Sequence, residues 1–443
     1  MLMKDKEFNR KLLRLVIPIT LQYFMFALVP VADAVMLARF DQNAMSAVSL
    51  AGQVSFVMSL ITYAIVAGAS MLAAQYWGSN DITSVEKLYA FSMELTLPVT
   101  LIFSVLTFLF PTTVIGIFTS NAEIIPYGAA YLKIASVSYI FTCFAGTVEV
   151  FMKNSGLVIE ATVASIVMVV SNIILNAVFI YGMDLDSRGA AWGTVISSFL
   201  GFALAVLIQV FRGKVHPRIR YFFSLSKTIC TKFAKGTFPV LLNQLGWGLG
   251  FTMISVIMGH LEGDAVAANS VVVVVKDLIS CFCFALASGG AIMVGNELGA
   301  GNLDKGKEYG GRLCKLALWS GIISGFVILL LSPVILYVVD LSSKASGYLF
   351  RMLVMCVYYM VGRAMNSVVI SGIFCAGGDT KFGFVCDTIT MWGFIVPLGA
   401  LAAFVFKLPV LAVFFLLNLD EIVKLPVVYI HYKKYKWVRN LTE

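Results

Sequence analysis

The sequence predicts an all-α membrane protein with twelve transmembrane helices, arranged as two parallel-repeat six-helix lobes around a central cleft. Three observations support this prediction: the composition, the long apolar runs, and a repeat that relates the two halves of the chain. Of the 443 residues, 60% are hydrophobic and 13% are charged, whereas about a quarter of residues are charged in soluble proteins. A chain this apolar is expected to cross the bilayer many times.

The apolar runs mark the predicted helices, because about 20 consecutive apolar residues span a bilayer as a helix. Turn and charged residues separate the runs, for example at 78–81 and 299–302. The twelve predicted helices cover residues 12–38, 46–77, 85–118, 127–153, 158–183, 189–212, 237–261, 265–296, 307–338, 346–375, 382–406 and 409–432.

The basic residues predict the orientation of the chain. The longest polar stretch, Arg212 to Lys235, carries seven Lys and Arg residues and lies near the middle of the sequence. One side of the twelve-helix topology holds about 23 of the 32 Lys and Arg residues, and the positive-inside rule assigns that side to the cytoplasm. We therefore expect a multi-pass protein of the bacterial inner membrane with both termini cytoplasmic. The net charge of +8 then requires no nucleic-acid partner.

A repeat divides the chain into two lobes. Pro18 and Pro239 are 221 residues apart (239 − 18), and the same offset pairs Gly78 with Gly299 without a gap. Each half holds six predicted helices, so both halves enter the membrane from the same side and the repeat is parallel, which is typical of transporters. The predicted organisation is an N-terminal lobe over 1–212, a cytoplasmic basic linker over 213–235 and a C-terminal lobe over 236–443.

The first predicted helix contains a carboxylate, Asp33, in an otherwise apolar run. A charged residue at the centre of a spanning helix costs about 2.5–3.5 kcal/mol on insertion scales, so it indicates a functional site. Pro18 and Pro30 each remove a helical hydrogen bond, and we predict that they act as hinges. The alternative, a signal peptide cleaved near Asp33, fits poorly because the apolar run is too long.

Two asparagines and a threonine are predicted to lie near Asp33. Asn172 and Asn176 are four residues apart and so share one face of a helix. At 1.5 Å per residue, Asp33, Asn176 and Thr194 all lie about 7–11 Å below the outer surface. Oxygen ligands and one titratable carboxylate would suit a proton or a transported Na⁺. The alternative is that these side chains only join helices, at about 0.6 kcal/mol for each hydrogen bond.

The second half has its own polar residues within apolar runs. Asp277 and Arg363 lie near the middle of predicted helices 8 and 10, where an ion pair is expected. A structural role and a substrate contact both remain open for these side chains. On helix 12, Asp420, Glu421 and Lys424 form a local cluster that we expect to be structural. The candidate substrate or second-lobe polar residues are Gln244, Asp277, Arg363 and Asp387, with Lys276 beside Asp277.

Enzymatic and metal-dependent functions are not supported by the motifs. The stretch Ala376-Gly377-Gly378-Asp379 departs from the GxGD pattern of intramembrane aspartyl proteases, and no zinc signature occurs. Cys281 and Cys283 would point to different faces of a helix and so do not form a metal pair. The sequence therefore predicts neither an enzyme nor a cofactor, and no metal beyond a transported Na⁺ at Asp33.

Several motifs together resemble the multidrug and toxic compound extrusion (MATE) family over nearly the whole chain. They are Pro18 with Val31 to Met36, Asn172-xxx-Leu175-Asn176, Gly189 to Thr194, Val294 to Asn302, and Ala376 to Thr380. The resemblance implies two six-helix lobes, alternating access, and export of organic cations or drugs in exchange for Na⁺ or H⁺. It also implies a first-lobe cation site formed by Asp33, Asn172, Asn176 and Thr194.

This chain departs from the family pattern at several positions. Some members carry an aspartate where this chain has Asn176, so Asp33 is the only carboxylate in that site. Where one branch places acidic residues on helices 7 and 10, this chain has Trp247 and Ala364, and Gln244 is often Glu in similar sequences. The first lobe is thus the expected place of cation binding.

Two other functions remain as alternatives. A lipid-linked precursor flippase of the same superfamily would need a large basic cavity, to which Arg363 and Lys276 alone would contribute little. A non-transporting membrane receptor or scaffold would need neither a membrane-depth Asp33 nor a duplicated lobe. The expected partners are small-molecule drugs or organic cations, H⁺ or Na⁺ and the lipid bilayer, with no nucleic acid and with the protein as a monomer.

Overall fold

The computed structural model describes residues 6–39, 41–223 and 227–443, and these residues form helices without any strand. The predicted all-α class is confirmed. Residues 1–5, which belong to the predicted N-terminal lobe, and residues 224–226, which belong to the predicted linker, lie outside the described residues. The α-helices are α1 (Lys6–Ala38), α2 (Gln42–Gly78), α3 (Ile82–Leu109), α4 (Pro111–Gly116), α5 (Ile124–Asn154), α6 (Val158–Ala177), α7 (Asp186–Arg212), α8 (Lys227–Gly259), α9 (Gly263–Gly299), α10 (Leu303–Val338), α11 (Ser343–Asn366), α12 (Thr380–Thr388), α13 (Val396–Ala400), α14 (Val410–Leu417), α15 (Asp420–Val423) and α16 (Leu425–Lys433).

Wider π-helical turns extend several of these helices. They cover Val178–Gly182 after α6, Ser367–Phe374 after α11, and Ile389–Ile395 and Leu401–Val405 on either side of α13. With these extensions, eleven helical segments of the described chain are long and apolar enough to cross a membrane. The chain is therefore a multi-pass membrane protein.

The twelfth predicted helix, 409–432, is not continuous. It is divided into α14, α15 and α16, none of which is long enough to span a bilayer alone. Asn418 ends α14, and its side-chain Nδ2 donates to the Phe414 carbonyl at 2.8 Å in competition with the helical backbone. Pro426 follows at the start of α16, where its missing N–H is tolerated.

The third predicted helix is shorter than expected. The prediction continued to residue 118, whereas α3 ends at Leu109 and Pro111 opens the separate short helix α4. Proline cannot continue the hydrogen-bond ladder and restricts the residue before it, so the apolar run after Leu109 turns instead of extending α3. Apolar content alone gave the wrong boundary here.

Acidic and hydroxyl side chains cap the helices that follow short turns. The Asp41 carboxylate accepts from the Asn43 N–H at 2.7 Å at the start of α2, and Asp81 accepts from the Ser84 N–H at 3.0 Å at the start of α3. Ser342 caps α11 in the same way. These caps satisfy backbone donors that a helix start leaves without a partner.

The chain packs as two compact units. The first unit is Leu21–Ala234, and the second unit contains the described residues up to Thr20 together with Lys235–Glu443. The core of the first unit includes Leu37, Leu132 and Ile180, each 0% exposed. The core of the second unit includes a larger set of aliphatic side chains from α9, α11 and α14. Helix α1 is continuous through Pro18 and Pro30, so a hinge at either proline stays a prediction.

The C-terminal residues belong to the core of the second unit. Trp437 is fully buried, stacks on Tyr432 at 5.6 Å between ring centroids, and lies against Gly310 of α10. Its backbone carbonyl contacts Gly377, where no side chain could fit. In the same turn, Gly378 has a φ of 75°, a conformation that favours glycine. The segment Ala376 to Asp379 thus packs against the residues around Trp437.

Candidate functional site

The four residues of the predicted first-lobe site come together within the first unit. Asn176 Nδ2 of α6 donates to Asp33 Oδ1 of α1 at 2.7 Å and to Asn172 Oδ1 at 3.3 Å. Asn172 Nδ2 in turn lies 3.4 Å from Thr194 Oγ1 of α7. Asn172 and Asn176 are buried, at 4% and 0% exposure, whereas Asp33 is half-buried. One chain of hydrogen bonds therefore connects α1, α6 and α7, and Asp33 is the only carboxylate among these four residues.

Close helix packing and a widened helical turn hold this arrangement. Helix α7 lies so close to α6 at Gly193 that a side chain at this position would collide with Asn176 Oδ1. After α6, the π-helical turn Val178–Gly182 carries Tyr181, whose hydroxyl donates to the Met36 carbonyl at 2.8 Å. Such turns occur often at functional sites because they redirect side chains within a helix. Here the turn ties α6 to the end of α1 that carries Asp33.

The oxygen atoms of this cluster suit a small cation. Asn176 Oδ1 is buried and has no hydrogen-bond partner among the described residues, although buried polar atoms are normally satisfied. It belongs to the same amide group that holds Asp33 and lies against Gly193 of α7. A carboxylate, two amide oxygens and a hydroxyl are ligands that Na⁺ or a proton can use. The chemistry of these side chains is thus compatible with a small cation or a proton.

We expect Gly193→Ala to disturb this cluster specifically. The added methyl group would displace the Asn176 side chain and lengthen its bond to Asp33. Apparent cation affinity, measured as the cation concentration that half-activates transport by the purified protein in liposomes, should weaken. Gly146→Ala is the matched control, because this helical glycine of α5 has open space around its Cβ position. Equal behaviour of the two variants would contradict the placement of Asn176.

In the second unit, Arg363 does not form the predicted ion pair with Asp277. Its Nη1 lies 3.3 Å from Glu421 Oε1 and 3.3 Å from the Tyr359 hydroxyl. Arg363 and Glu421 are both strongly buried, with side-chain exposures of 11% and 5%. The prediction was wrong about the partner because the break between α14 and α16 turns Glu421 toward α11, which the apolar pattern does not reveal. Asp277 lines the same cavity as Arg363 without a direct ion pair.

Lys424 connects this pair to Asp387. Its Nζ lies 3.1 Å from Glu421 Oε2, as the predicted local cluster required, and 2.9 Å from Asp387 Oδ1. Asn243 Nδ2 of α8 donates to the other Asp387 oxygen at 2.9 Å. Gln244, the next residue on α8, is half-buried and forms no part of this network among the described residues. Of the predicted second-lobe residues, Arg363 and Asp387 thus share one network and Gln244 does not.

A cavity lies beside this network within the second unit. Lys276 enters it with its ammonium 4.0 Å from the centre of the Tyr359 ring and 2.8 Å from Asn418 Oδ1. Trp247 and Phe251 stack at 5.5 Å along one wall. Charged side chains of both signs also line the cavity, namely Lys276, Asp277, Arg363 and Asp420.

A second buried carboxylate of the first unit was missed in the sequence. Glu149 of α5 is 5% exposed and accepts from Gln22 Nε2 and from Ser165 Oγ, both at 2.6 Å. It lies inside the predicted helix 127–153, one turn before Lys153, and was not among the predicted site residues. The sequence signal that could have identified this group is spacing. Gln22 lies eleven residues before Asp33 (33 − 22), and Ser165 lies eleven residues before Asn176 (176 − 165). Eleven residues are about three helical turns, so the members of each pair lie on the same helix face.

Known proteins with similar sequences are transporters by name. The chain is 21% identical to "Uncharacterized transporter YisQ" of Bacillus subtilis over 404 residues, covering 90% of this chain and 88% of the relative. It is 23% identical to "Probable multidrug resistance protein YoeA" of Bacillus subtilis, covering 84% and 81% of the two chains.

Solved structures share the fold. A mutant of the Vibrio cholerae MATE transporter VcmN superposes with a TM-score of 0.90 at 15% identity, covering 98% of each chain. A MOP superfamily transporter from Pyrococcus furiosus, whose description reports a binding pocket of reversed polarity, superposes with a TM-score of 0.88 at 17% identity, covering 98% and 97%. At this level of identity, the likeness concerns the fold.

The family assignment comes from the sequence itself. The MatE family model matches residues 18–178 and again residues 239–401, once in each repeat of the chain. The two matches together cover more than half of the sequence, and they begin at Pro18 and at its repeat partner Pro239. This chain therefore belongs to the MatE family, the multidrug and toxic compound extrusion transporters.

Proposed function

We propose that this protein is a secondary active multidrug efflux transporter, which exports organic cations or drugs in exchange for H⁺ or Na⁺ by alternating access. The observation that carries the proposal is Asp33, a membrane-depth carboxylate held by Asn176 at 2.7 Å beside an amide oxygen without a partner. A charged side chain in this position is energetically costly, so its presence indicates a role in transport. The multidrug resistance name of a relative supports the substrate class.

The coupling follows from the charge of Asp33. When a proton or Na⁺ binds, the carboxylate loses its net charge and the cost of burying it falls. The first unit then favours a different packing, in which the transporter as a whole releases the drug, and departure of the cation reverses this preference. A ligand can drive such a change only through its different affinity for the two states. Cation and drug are thus expected to compete.

The cavity of the second unit is the proposed contact for the drug. Its aromatic wall of Trp247 and Phe251 offers flat apolar surface, and Asp277 and Asp420 offer negative charge for an organic cation. A lipid-linked precursor flippase would instead need an excess of positive charge to hold a phosphate. Lys276 and Arg363 are balanced by these two carboxylates, so the cavity favours the drug transporter over the flippase.

The proposal is tested with inside-out membrane vesicles that contain the wild-type protein. Accumulation of a fluorescent organic cation should rise when a proton or Na⁺ gradient is imposed and stop when the gradient is collapsed by an ionophore. Vesicles without the protein provide the background. A receptor or scaffold would show no accumulation with any of a panel of cations, and that result would contradict the proposal.

The proposed topology places both termini and the linker in the cytoplasm of a bacterium. An impermeant maleimide applied to intact cells should therefore not label Lys214→Cys, an exposed position before the undescribed residues of the linker. Ser120→Cys, also exposed and between α4 and α5, should be labelled under the same conditions. Six of the eight native cysteines are buried, so the background is low. External labelling of the first variant would overturn the orientation.

A further inference from the structure

Glu149, Gln22 and Ser165 form a closed hydrogen-bonded group within the first unit, away from Asp33. Gln22 Nε2 lies 2.6 Å from Glu149 Oε2 and 2.6 Å from Ser165 Oγ, and Ser165 Oγ donates to Glu149 Oε1 at 2.6 Å. All three side chains are at least 95% buried. They come from α1, α5 and α6, so the group joins three helices. Gln22 lies eleven residues before Asp33 on the same face of α1, about 16 Å away along the helix axis.

We propose that Glu149 is a second proton-binding carboxylate of the first unit and that it takes up and releases a proton during the transport cycle in addition to Asp33. This inference rests on the proposed function, since it adds a titrating group to the same transporter. It concerns a separate site, because no residue is shared with the cluster of Asp33, Asn172, Asn176 and Thr194.

The hydrogen bonds of this group allow a proton to be bound while the contact between Gln22 and Glu149 is kept. With Glu149 ionised, the Gln22 amide and the Ser165 hydroxyl each donate to one carboxylate oxygen. The Gln22 Oε1 atom is then left buried without a partner. When Glu149 is protonated, rotation of the Gln22 amide presents Oε1 to the acid hydrogen, so the Gln22–Glu149 bond is kept in the reverse direction while the bond from Gln22 Nε2 to Ser165 Oγ is given up. Both protonation states are thus accommodated at the same place.

A metal cation fits this site poorly. Both Glu149 oxygens already accept from a donor hydrogen, and Gln22 Oε1 is the one additional acceptor in the group. A proton needs one oxygen atom, whereas hard metal cations require several oxygen ligands. The chemistry of the group therefore selects H⁺.

The charged groups around Glu149 are few. On α5 itself, Lys153 interacts with Glu149 through its charge without a direct ion pair. Helices α2 and α4 carry no charged residue, and the described part of α1 contributes only the neutral Gln22. On α3, Glu86 pairs with Arg218, Lys87 lies with its ammonium 5.8 Å from the centre of the Tyr221 ring, and Glu94 accepts from the Phe223 N–H. The ionisable residues of α6 and α7, Glu160, Asp186, Arg188 and Arg212, lie near the helix ends.

The second repeat contains a corresponding polar group with a different charge balance. Offsets of 221, 217 and 222 residues match Gln22 to Asn243, Glu149 to Asn366 and Ser165 to Asp387 (243 − 22, 366 − 149, 387 − 165). Gly156 and Gly378, which share the last offset, both have positive φ, at 91° and 75°. By the same offsets, Asp33, Asn172 and Asn176 correspond to the apolar Ile254, Phe394 and Leu398.

Glu149 and Asp387 differ in the charge of their hydrogen-bond partners. Asp387 is neutralised by Lys424 at 2.9 Å, whereas Glu149 has only the neutral donors Gln22 and Ser165 within hydrogen-bond distance. An ion pair fixes the charged form, but neutral donors leave the proton free to exchange. Glu149 and Asp33 both act on α1, so their protonation states bias the same helix.

The test is an infrared titration of the purified protein in lipid, which detects protonated carboxyl groups directly and requires no transport. The wild type should show a carboxyl band that titrates, that persists in Asp33→Asn and that is lost in Glu149→Gln. Gln22→Leu should shift the same band to higher pH, because the ionised form loses a donor. Glu160→Gln, which removes a carboxylate at the surface end of α6, should leave the band unchanged.

A second readout connects the site to transport. Addition of a fluorescent organic cation to the lightly buffered wild type should release more protons per bound molecule than addition to Glu149→Gln. If Glu149→Gln does not fold, Gln22→Leu carries the test, since it leaves the carboxylate in place. The inference is overturned if the band that persists in Asp33→Asn is insensitive to both variants. Absence of drug accumulation in wild-type vesicles with a normal titration would instead overturn the proposed function alone.

Discussion

Asp33→Asn is expected to abolish gradient-driven efflux while the protein still inserts and folds. The amide removes the only carboxylate of the first-unit cation site but can keep a hydrogen bond to Asn176, which holds Asp33 at 2.7 Å. A neutral side chain mimics the cation-loaded state permanently, so drug binding should also weaken. Complete switching between two states requires about 5.5 kcal/mol of differential binding, to which neutralising a carboxylate within a spanning helix contributes about 2.5–3.5 kcal/mol.

The measurement is accumulation of a fluorescent cation in inside-out vesicles over a series of pH values and Na⁺ concentrations. Asn176→Ala should retain transport with weaker apparent cation affinity, because Asp33 keeps its charge and loses one donor. Asp304→Asn is a control for the removal of an exposed aspartate on α10. Full ion-dependent efflux by Asp33→Asn would end the coupling proposal.

Glu421→Gln is expected to destabilise the second unit strongly. Its carboxylate lies 3.3 Å from Arg363 and 3.1 Å from Lys424 within a buried network. Removing one member of a buried ion pair leaves an uncompensated charge and typically costs about 3–5 kcal/mol. The unfolding midpoint of the purified protein, followed by heating or by denaturant, should fall clearly below that of the wild type.

A double-mutant cycle identifies the partner. Arg363→Met combined with Glu421→Gln should be less destabilising than the sum of the two single substitutions, because the stranded charge is removed as well. Asp277→Asn is the matched comparison, since Asp277 lines the same cavity without a direct ion pair to Arg363. Equal loss of stability in Asp277→Asn and Glu421→Gln, or strict additivity in the cycle, would contradict the network.

Much of the fold was predictable because each membrane-spanning helix corresponds to a long apolar run in the sequence. Most predicted boundaries lie within a few residues of those in the structure, since a lipid environment demands long apolar runs. Helix α8 begins at Lys227, ten residues before the predicted start at 237, because its first turns are polar. Two other exceptions occurred where apolar content continued across a break in the backbone. Pro111 ends the third run early, and the twelfth run is divided at Asn418 and before Pro426. Hydropathy does not report such breaks.

The site was predictable only where spacing and depth were informative. The spacing of Asn172 and Asn176 predicts that they share a helix face, and their matching depth favoured a position near Asp33, which the structure shows for Asn176. The partner of Arg363 depended on the broken course of α14 to α16, and the partners of Glu149 come from α1 and α6, which are distant in sequence. Such pairs are decided by tertiary packing, which a single sequence does not record.

The grouping of the first residues with the second unit has a consequence for biosynthesis. The first unit, Leu21–Ala234, can complete its contacts once Ala234 has left the ribosome. The second unit combines helix turns before Leu21 with residues as late as Trp437, which is fully buried. Since domains generally fold in order of synthesis, the start of α1 must wait in the membrane until the last helix is made. If a ribosome stalls within the second repeat, the first unit can therefore be complete while the part of α1 before Leu21 still lacks the residues against which it packs.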